Sequence, residues 1–272
     1  MQTDVAALVL LAEQMAREAG DLVRGGPEHV VVAATKSSAA DVVTAMDVAA
    51  EELLRARIAA ERPDDGILGE ERGHEPGTSG ITWVLDPIDG TVNYLYGIPA
   101  YSVSVAAVTD GLDPATWTVL AGCVHAVADG RTWTAGRGLG SYLDGRRLAP
   151  RADRGLDGAL LGTGFGYTVE RRRHQAQVVA QILPRVRDIR RMGSAAMDLC
   201  TLAAGSLDVY YERGLNPWDM AAGMLVAREA GADVVGLRGV GPGAAMTVAG
   251  PPTAVRELAD LLAALDADRD AE

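Results

Sequence analysis

The stretch WVLDPIDGTVNYLYG, residues 83–97, constrains the fold of this chain more than any other part of its sequence. Its apolar run WVL indicates a buried strand, and that run ends abruptly in Asp86. Asp89 follows three residues later, so two carboxylates flank one tight turn at a strand end. Close carboxylates repel each other unless a positive group lies between them. The stretch therefore predicts a chemical site at the edge of a buried sheet.

The rest of the first 150 residues predicts helices followed by a sheet. Apolar residues three or four apart indicate amphipathic helices over residues 4–24 and 41–60, the second of which is closed by Pro63. Six apolar or alternating segments then indicate the strands of an antiparallel sheet, with a hairpin turn at Asp144-Gly145. These segments read GILGEE, ITWVLD, YSVSVAAV, WTVLAGCVHA, RTWTA and GSYLDGRRL.

After Pro150 the pattern changes to alternating strands and helices. The predicted strands are ALLGTGFG, LDVYYE, ADVVG and AMTVAG, and the predicted helices cover residues 171–187, 195–204, 218–230 and 253–265. The fold class is therefore α/β, with two halves that share one site. Residues 1–150 form the half with two helices and a sheet, and residues 151–272 form the alternating half. The acidic tail 266–272 is predicted to fray.

Composition narrows the partners and the compartment. The 272 residues carry 25 basic and 37 acidic side chains, a formal net charge of −12, which repels nucleic acid and anionic membranes. The N-terminus lacks a signal-peptide pattern, and no apolar run approaches the roughly 18 residues of a membrane span. Cys123 and Cys200 stand in apolar surroundings, which favours buried thiols in a reducing compartment. We therefore expect a cytoplasmic protein that binds neither nucleic acid nor membrane.

Five acidic positions stand where predicted strands end or helices begin. Besides Asp86 and Asp89, Glu70 and Glu71 follow the strand GILG, and Asp219 opens a helix after the segment NPW. Singly, each has an ordinary explanation: Asp219 as a helix N-cap, Glu70-Glu71 in a solvated loop, and Asp89 in a turn with Gly90. Together they require compensation, because several buried unpaired carboxylates are costly. A metal ion is the ordinary remedy.

The available donor atoms favour a hard divalent cation. The four histidines are scattered without ligand spacing, and the two cysteines stand far apart, which argues against a zinc site. All-oxygen ligands favour Mg²⁺, Mn²⁺ or Ca²⁺, and Mg²⁺ commonly partners phosphate. Two cations about 4 Å apart and bridged by one aspartate would form the two-metal arrangement of phosphoryl-transfer enzymes.

Two glycine-containing segments are candidates for holding an anion with backbone N–H groups. Gly90-Thr91 opens a short helical stretch directly after Asp89, and the segment GSA at residues 193–195 precedes a predicted helix. For the second segment, an ordinary helix cap by Ser194 is an equal alternative. The chain has neither a P-loop GxxxxGK[ST] nor a GxSxG nucleophile elbow, so these segments carry the phosphate-binding hypothesis alone.

The segments GEE (69–71), WVLDPIDGTVN (83–93) and WDMAAG (218–223), in this order and at these separations, resemble the inositol monophosphatase family. The similarity runs from Lys36 to about Ala249 and points to bacterial members of the actinobacterial type. The resemblance implies a sugar-phosphatase-type fold of alternating α-β-α-β-α layers and a homodimer. It also implies an Mg²⁺-dependent phosphatase, with two to three ions per site, that hydrolyses myo-inositol monophosphate to inositol and phosphate.

The resemblance also assigns roles to the residues that match the family motifs. The implied metal ligands are Glu70, Asp86, the carbonyl of Ile88, Asp89 and Asp219. Thr91 pairs with Asp47, the last residue of the pattern KxxxxDxVTxxD at 36–47, and with Glu70 these two act on the attacking water. The implied substrate contacts are Asp89, Gly90, Thr91, Gly193, Ser194, Ala195, Glu212 and Asp219. Residues 164–167 depart from the family by lacking a serine found near the substrate in animal members.

The implied mechanism is in-line attack by a metal-activated water without a covalent intermediate, and three alternatives stay open. A haloacid-dehalogenase-type phosphatase would use an aspartate nucleophile. The two aspartates of its motif stand at i and i+2, whereas Asp86 and Asp89 of this chain stand at i and i+3. The same metal chemistry fits histidinol phosphate, fructose 1,6-bisphosphate or adenosine 3′,5′-bisphosphate. A catalytically silent regulator on this scaffold would be expected to lack at least one of the acids that the family motifs supply. All five of these acids are present: Asp47, Glu70, Asp86, Asp89 and Asp219.

Overall fold

The computed structural model describes residues 4–26, 32–35, 42–149 and 152–269, and of residues 32–35 and 42 it describes the backbone alone. The predicted boundary between residues 150 and 151 lies outside the described residues, as do Lys36 and Asp41 of the sequence pattern. Within the described ranges, no helix is both long and apolar enough to cross a membrane.

Two helices and a short two-stranded ribbon open the chain. They are α1 (Val5–Arg24), β1 (Val32–Thr35), β2 (Val42–Thr44) and α2 (Ala45–Glu61). Helix α2 begins four residues later than predicted, because the residues before it pair antiparallel with β1. Thr44 then caps the helix: its side chain accepts from the backbone of Asp47, and the Asp47 carboxylate accepts from the backbone of Thr44.

The larger sheet follows, with a short helix after its third strand. Its elements are β3 (Gly66–Gly69), β4 (Gly73–Glu75), β5 (Thr82–Asp89), α3 (Thr91–Leu95), β6 (Ser102–Thr109), β7 (Thr118–Ala126), β8 (Thr132–Gly136), β9 (Gly140–Leu143) and β10 (Arg146–Arg147). The strand order is β10-β9-β8-β7-β6-β5-β3-β4. The predicted hairpin at Asp144-Gly145 is present, and both residues have positive φ. One pairing is not antiparallel as predicted, because β3 runs parallel to β5 with Gly69 opposite Leu85.

The second half builds a smaller sheet. Its elements are β11 (Leu160–Thr163), α4 (Val169–Ile182), β12 (Asp188–Arg190), α5 (Ala195–Ala203), β13 (Val209–Glu212), α6 (Pro217–Glu229), β14 (Asp233–Val235), β15 (Thr247–Gly250) and α7 (Pro252–Ala264). The strand order is β12-β11-β13-β15-β14. The helix predicted over 171–187 is too long: Pro184 lacks the N–H that a continuing helix needs, and the chain forms a 3-10 turn and then β12.

The two sheets and the helices stack as five layers. On one face of the larger sheet, Trp83 and Leu85 of β5 pack in a fully buried cluster with α1 and α2. On its other face, Val84 packs with α5 and α6 in a cluster that also includes Tyr210 of the smaller sheet. Helices α4 and α7 cover the far side of the smaller sheet. The α-β-α-β-α order confirms the predicted fold class and places β5 between two apolar cores.

The predicted fraying of the acidic tail is wrong for residues 266–269. The Arg238 guanidinium donates to Asp266 Oδ1 at 2.6 Å and to Asp268 Oδ2 at 3.1 Å. Arg213, on the loop after β13, donates to the carbonyl of Arg269 at 2.5 Å. These ion pairs and the backbone contact fix the segment after α7, and they could not be read from the acidic composition of the tail.

Candidate active site

The parallel pairing of β3 and β5 brings the first acids together. The register places Gly69 opposite Leu85, and the backbone N–H of Glu70 donates to the Leu85 carbonyl at 3.2 Å. Glu70 is therefore the first residue after β3, and it lies beside Asp86, the residue that follows Leu85 in β5. The parallel pairing aligns two strand ends at one edge of the sheet, which is where sites gather in α/β folds.

A bulge in β5 turns Asp86 and Asp89 to the same side. Residues three apart on a regular strand point to opposite faces of the sheet. Opposite β6, however, Asp86 pairs with Ser104 and Asp89 with Ser102, so β5 holds one extra residue between them. The bulge contains Pro87, which has no N–H to give to the ladder. The extra residue lets both carboxylates face the same site.

Helix α6 delivers the third carboxylate of the cluster. Asp219 is not the N-cap but the third residue of the helix, and its Oδ2 accepts from the backbone of the N-cap, Asn216, at 2.6 Å. One oxygen each of Asp86, Asp89 and Asp219 lies within 4.8 Å of the others. Asp219 therefore combines the ordinary capping role with membership of the acidic cluster.

Burial and mutual repulsion make this cluster costly without a cation. Burial, followed by the charges of Glu70, Asp89 and Asp219, raises the pKa of Asp86 well above its usual value. Burial and neighbouring acids raise the pKa of Asp219 in the same way, and burial raises that of Asp89 to about 6. Among the described residues, Oδ1 of Asp86 has no hydrogen-bond partner although it is buried. The unpartnered oxygen and the all-oxygen donor set fit a hard divalent cation.

The N-terminus of α5 fixes Asp89 from behind. Both the hydroxyl of Ser194 and the backbone N–H of Ala196 donate to Oδ2 of Asp89, each at 2.7 Å. Ser194 is also the N-cap of α5, accepting from the backbone of Met197. Its side chain is buried, so Ser194 lies behind the carboxylate rather than on the open side of the site. The cap and the predicted anion-holding segment are thus one structure.

Thr91 links the turn after β5 to helix α2. Its Oγ1 lies 3.1 Å from Oδ1 of Asp47 and 3.0 Å from the carbonyl oxygen of Ile88. Asp47 is fully buried; burial raises its pKa, and hydrogen bonds from Thr44 and Thr91 act in the opposite direction. Gly90 has a φ of +96°, and a Cβ there would lie 2.8 Å from the carbonyl oxygen of Ala100, so only glycine fits.

The acidic cluster opens into a cavity of about 480 Å³. Of the predicted site residues, those that line it are Glu70, Asp86, Ile88, Asp89, Gly90, Thr91, Gly193, Ala195, Glu212 and Asp219. Asp47 and Ser194 lie behind the wall and contact the lining residues Thr91 and Asp89 instead. The predicted substrate contact of Ser194 stays a prediction, whereas its hydrogen bond to Asp89 is a structural fact.

Glu212 lines the cavity at the end of β13. The Tyr210 hydroxyl donates to its Oε2 at 2.7 Å, and burial raises the pKa of Glu212 to about 7, partly offset by Tyr210 and Arg191. Gly164 passes so close that a Cβ there would lie 2.0 Å from Oε1 of Glu212. Asp198 of α5 is buried nearby, and its carboxylate oxygens have no hydrogen-bond partner among the described residues.

Several cavity residues were missed by the sequence reasoning. Phe165 and Tyr167, from the segment that departs from the family, line the wall, and so do Arg171 and Arg191. Arg191 directly precedes the Met192-Gly193 step in RRMGSAA, so its position beside a predicted anion-holding segment was a usable signal. For Arg171 the sequence held no such signal, because only the folded chain brings the first turn of α4 to the cavity.

The α-β-α-β-α layer order is that of a sugar-phosphatase-type fold, and the carboxylate cluster gives it a candidate metal site. The chain belongs to the inositol monophosphatase family, whose model matches residues 4–265. The inositol-1-monophosphatase of Mycobacterium leprae is 46% identical over 270 aligned residues, covering 92% of this chain and 91% of that protein. The structure of Mycobacterium tuberculosis SuhB is 44% identical, has a TM-score of 0.81, and is aligned over 98% of this chain and 100% of that one.

Relatives carry a second kind of name as well. A protein of Pseudomonas aeruginosa that is 36% identical, with 81% of this chain and 82% of that protein covered, is called Nus factor SuhB. Family membership therefore establishes the fold and the class of site. The reaction of this particular chain has to be argued from its own residues.

Proposed function

We propose that this chain is a phosphomonoesterase that hydrolyses myo-inositol monophosphate to inositol and phosphate, with Mg²⁺ as its cofactor. One observation carries the proposal: Asp86, Asp89 and Asp219 are brought within 4.8 Å of one another at the wall of a 480 Å³ cavity. Their raised pKa values mean that the metal-free site disfavours its own ionised form, and a divalent cation reverses that preference.

The proposed metal ligands come from strand ends and one helix start. Glu70, Asp86, Asp89, Asp219 and the Ile88 carbonyl would hold two to three ions. When bound, Mg²⁺ neutralises phosphate oxygens, lowers the pKa of water and stabilises the leaving alkoxide. Both halves of the chain would contribute metal ligands: four of them lie in residues 1–150, and Asp219 lies in residues 151–272.

Protein groups would position the nucleophile. The Thr91 hydroxyl, held between Asp47 and the Ile88 carbonyl, is placed to orient a water for in-line attack, and Asp47 is placed to accept its proton through that hydroxyl. The backbone N–H groups of Gly90 and Thr91 at the start of α3 would contact the phosphate. Hydrolysis by water needs no aspartyl-phosphate intermediate.

The alcohol would lie toward the second half of the chain. Glu212, with the Tyr210 hydroxyl on one oxygen, suits a hydroxyl of a polyol, and Gly193 and Ala195 line the adjacent wall. Histidinol phosphate, fructose 1,6-bisphosphate and adenosine 3′,5′-bisphosphate stay alternative substrates, since a carboxylate also binds an ammonium group. The homodimer and the cytoplasmic location likewise stay predictions.

Phosphate release from a panel of these esters, with and without Mg²⁺, tests the proposal. We expect myo-inositol 1-phosphate to be hydrolysed fastest and only with Mg²⁺, and Asp89→Asn to lose about 100-fold or more in kcat. Asp260→Asn, an equal charge change on the exposed surface of α7, is the control and should behave as wild type. Wild-type activity of Asp89→Asn at saturating Mg²⁺, or no Mg²⁺-dependent release from any ester, would overturn the proposal.

A further inference from the structure

Glu51 on α2 is a fully buried carboxylate outside the cavity. Its Oε2 accepts the backbone N–H of Glu71 at 2.7 Å, and its Oε1 accepts the backbone N–H of Arg72 at 3.1 Å. The guanidinium of Arg55, one helical turn along, completes the set with Nε at 2.8 Å from Oε1. The carboxylate therefore has three hydrogen-bond donors inside the protein, and these offset the cost of its burial.

The two backbone donors belong to the turn that carries Glu70. On the other side of Glu70, its own N–H is held by the Leu85 carbonyl at 3.2 Å. The backbone is therefore hydrogen-bonded on both sides of the Glu70 side chain: the Glu70 N–H donates to β5, and the Glu71 N–H donates to Glu51. Arg55 extends the second tie, because its Nη2 donates to the carbonyl of Gly73 at 2.7 Å. Strand β5 thus holds the start of this turn at Glu70, and helix α2 holds its residues 71–73.

Gly69 shows how closely the turn and the carboxylate approach each other. A Cβ at position 69 would lie 2.4–2.6 Å from the carboxylate atoms of Glu51, so only glycine leaves room for it. Asp47 stands four residues before Glu51, on the same face of α2. One helix face therefore supports two parts of the site, Thr91 through Asp47 and Glu70 through Glu51.

We propose that Glu51 is a positioning residue that holds Glu70 in the orientation needed to bind a metal ion together with Asp86. The proposal rests on the proposed function in one respect, since it takes the cavity acids to be metal ligands. Glu51 itself is not among the residues that line the cavity. It acts through the backbone N–H groups of Glu71 and Arg72, as outer-shell carboxylates do when they orient the ligands of a metal.

Metal titration of substrate-free protein tests this role. Mn²⁺ is titrated into chelator-treated wild type, Glu51→Gln and Glu52→Gln, and binding is followed by calorimetry and by the electron paramagnetic resonance of free Mn²⁺. Glu51→Gln keeps the size of the side chain but loses its charge and one acceptor oxygen. Glu52→Gln is the matched control: it makes the same change on the next residue of α2, where the side chain is half exposed and pairs with Arg72. Glu70→Gln marks the ion that depends on Glu70.

We expect Glu51→Gln to lower the Mn²⁺ affinity of the site that is lost in Glu70→Gln by about 10-fold or more. The affinity of the remaining Mn²⁺ sites should stay within twofold of wild type. Glu52→Gln should bind as wild type. Amide hydrogen exchange should accelerate at Glu71 and Arg72 in Glu51→Gln. Should Glu51→Gln fold poorly by circular dichroism, Gly69→Ala replaces it, because the added Cβ displaces the same carboxylate, and the same weakening is expected.

Unchanged Mn²⁺ binding within twofold in Glu51→Gln, with or without faster amide exchange, would leave Glu51 a purely structural residue and overturn the proposal. An equal loss in Glu52→Gln would do the same, because the loss would then not depend on the hydrogen bonds that Glu51 accepts. Failure of the proposed function would give a different result: wild type would bind Mn²⁺ in the way that depends on Glu51 and Glu70, but it would release phosphate from none of the esters. Wild type that binds no Mn²⁺ would contradict both.

Discussion

The hydroxyl of Ser194 lies 2.7 Å from Oδ2 of Asp89, although 105 residues separate them in the chain. The contact joins the bulged end of β5 to the N-terminus of α5, one element from each half. It also means that a single side chain both caps a helix and orients a carboxylate of the acidic cluster. The arrangement makes the conformation of Asp89 depend on the docking of α5 between the two sheets.

Ser194→Ala should therefore lower activity more than it lowers stability. Loss of the cap costs about 1 kcal/mol, whereas loss of an outer hydrogen bond to a metal ligand costs roughly 10–100-fold in activity or metal affinity. Ser194→Thr keeps the hydroxyl and should retain most of the activity. Thermal melting and kcat at saturating Mg²⁺ measure the two effects separately. Equal activities for the alanine and threonine variants would show that the hydrogen bond to Asp89 is unimportant.

Thr91 and Asp47 should behave as one unit. We expect Thr91→Ala and Asp47→Asn each to lower kcat by about 100-fold or more, because both residues lie on the route proposed for the proton of the attacking water. The kcat of the double variant should be at most about tenfold lower than that of either single variant, because the effects of residues that act together are not additive. Thr91→Ser, which keeps the hydroxyl, is the control. A double variant slowed by the product of the single effects would mean that the two residues act independently.

Gly164→Ala should disturb the alcohol end of the site without touching the metal end. The added Cβ would meet the carboxylate of Glu212 at 2.0–2.1 Å, so Glu212 has to move. We expect KM for myo-inositol 1-phosphate to rise about tenfold, equivalent to about 1.4 kcal/mol, while half-saturation by Mg²⁺ stays as in wild type. Gly243→Ala is the control, because a Cβ there meets no atom within 4 Å. An unchanged KM would remove Glu212 from the substrate contacts.

The metal-free protein should lose stability as the pH rises. The pKa of Asp89 is raised from 3.8 to about 6, chiefly by burial, so the native state holds its proton where the unfolded chain has lost it. The resulting stabilisation is present below pH 3.8 and is lost as pH rises through 6. The change corresponds to about 3 kcal/mol, and each kcal/mol to about 2–4 °C in Tm for a chain of this size.

Melting in a chelator at pH 4, 5, 6 and 7 measures this effect. The Tm of wild type should fall relative to that of Asp89→Asn between pH 4 and 7, because the variant lacks the titrating group. Adding Mg²⁺ at pH 7 should restore the Tm of wild type and have less effect on the variant. A difference between the two proteins that stays constant across this pH range would contradict the raised pKa.

The acids of the candidate metal site illustrate how much of the site the sequence predicts. Asp86, Asp89, Glu70 and Asp219 could be chosen beforehand, because each follows an apolar strand or opens a helix, and strand ends and helix starts are local properties. The same holds for Gly90, whose neighbours form a turn. The start of α2 was harder to predict, because it depends on the pairing of β2 with β1. The end of α4 had a local signal, Pro184, which the helix predicted over 171–187 passed over.

Other residues needed the folded chain. Arg171, Tyr167 and Asp198 enter or border the site through the packing of α4 and α5, and no local signal marks them. Glu51 reads in the sequence as one of two neighbouring acids on a helix, and only the parallel pairing of β3 with β5 brings the turn after Glu70 against it. Glu52 beside it stays half exposed and serves as an ordinary surface ion pair.

The sequence by itself determined the class of fold, the acids of the cluster and the family, because apolar periodicity, turn chemistry and short motifs are local. The tertiary structure decided which oxygens meet, which carboxylates lose water and which side chains hold others in place. Those properties arise from burial and long-range pairing. The 105-residue contact between Ser194 and Asp89 and the buried carboxylate of Glu51 exist only once the sheets and helices have packed.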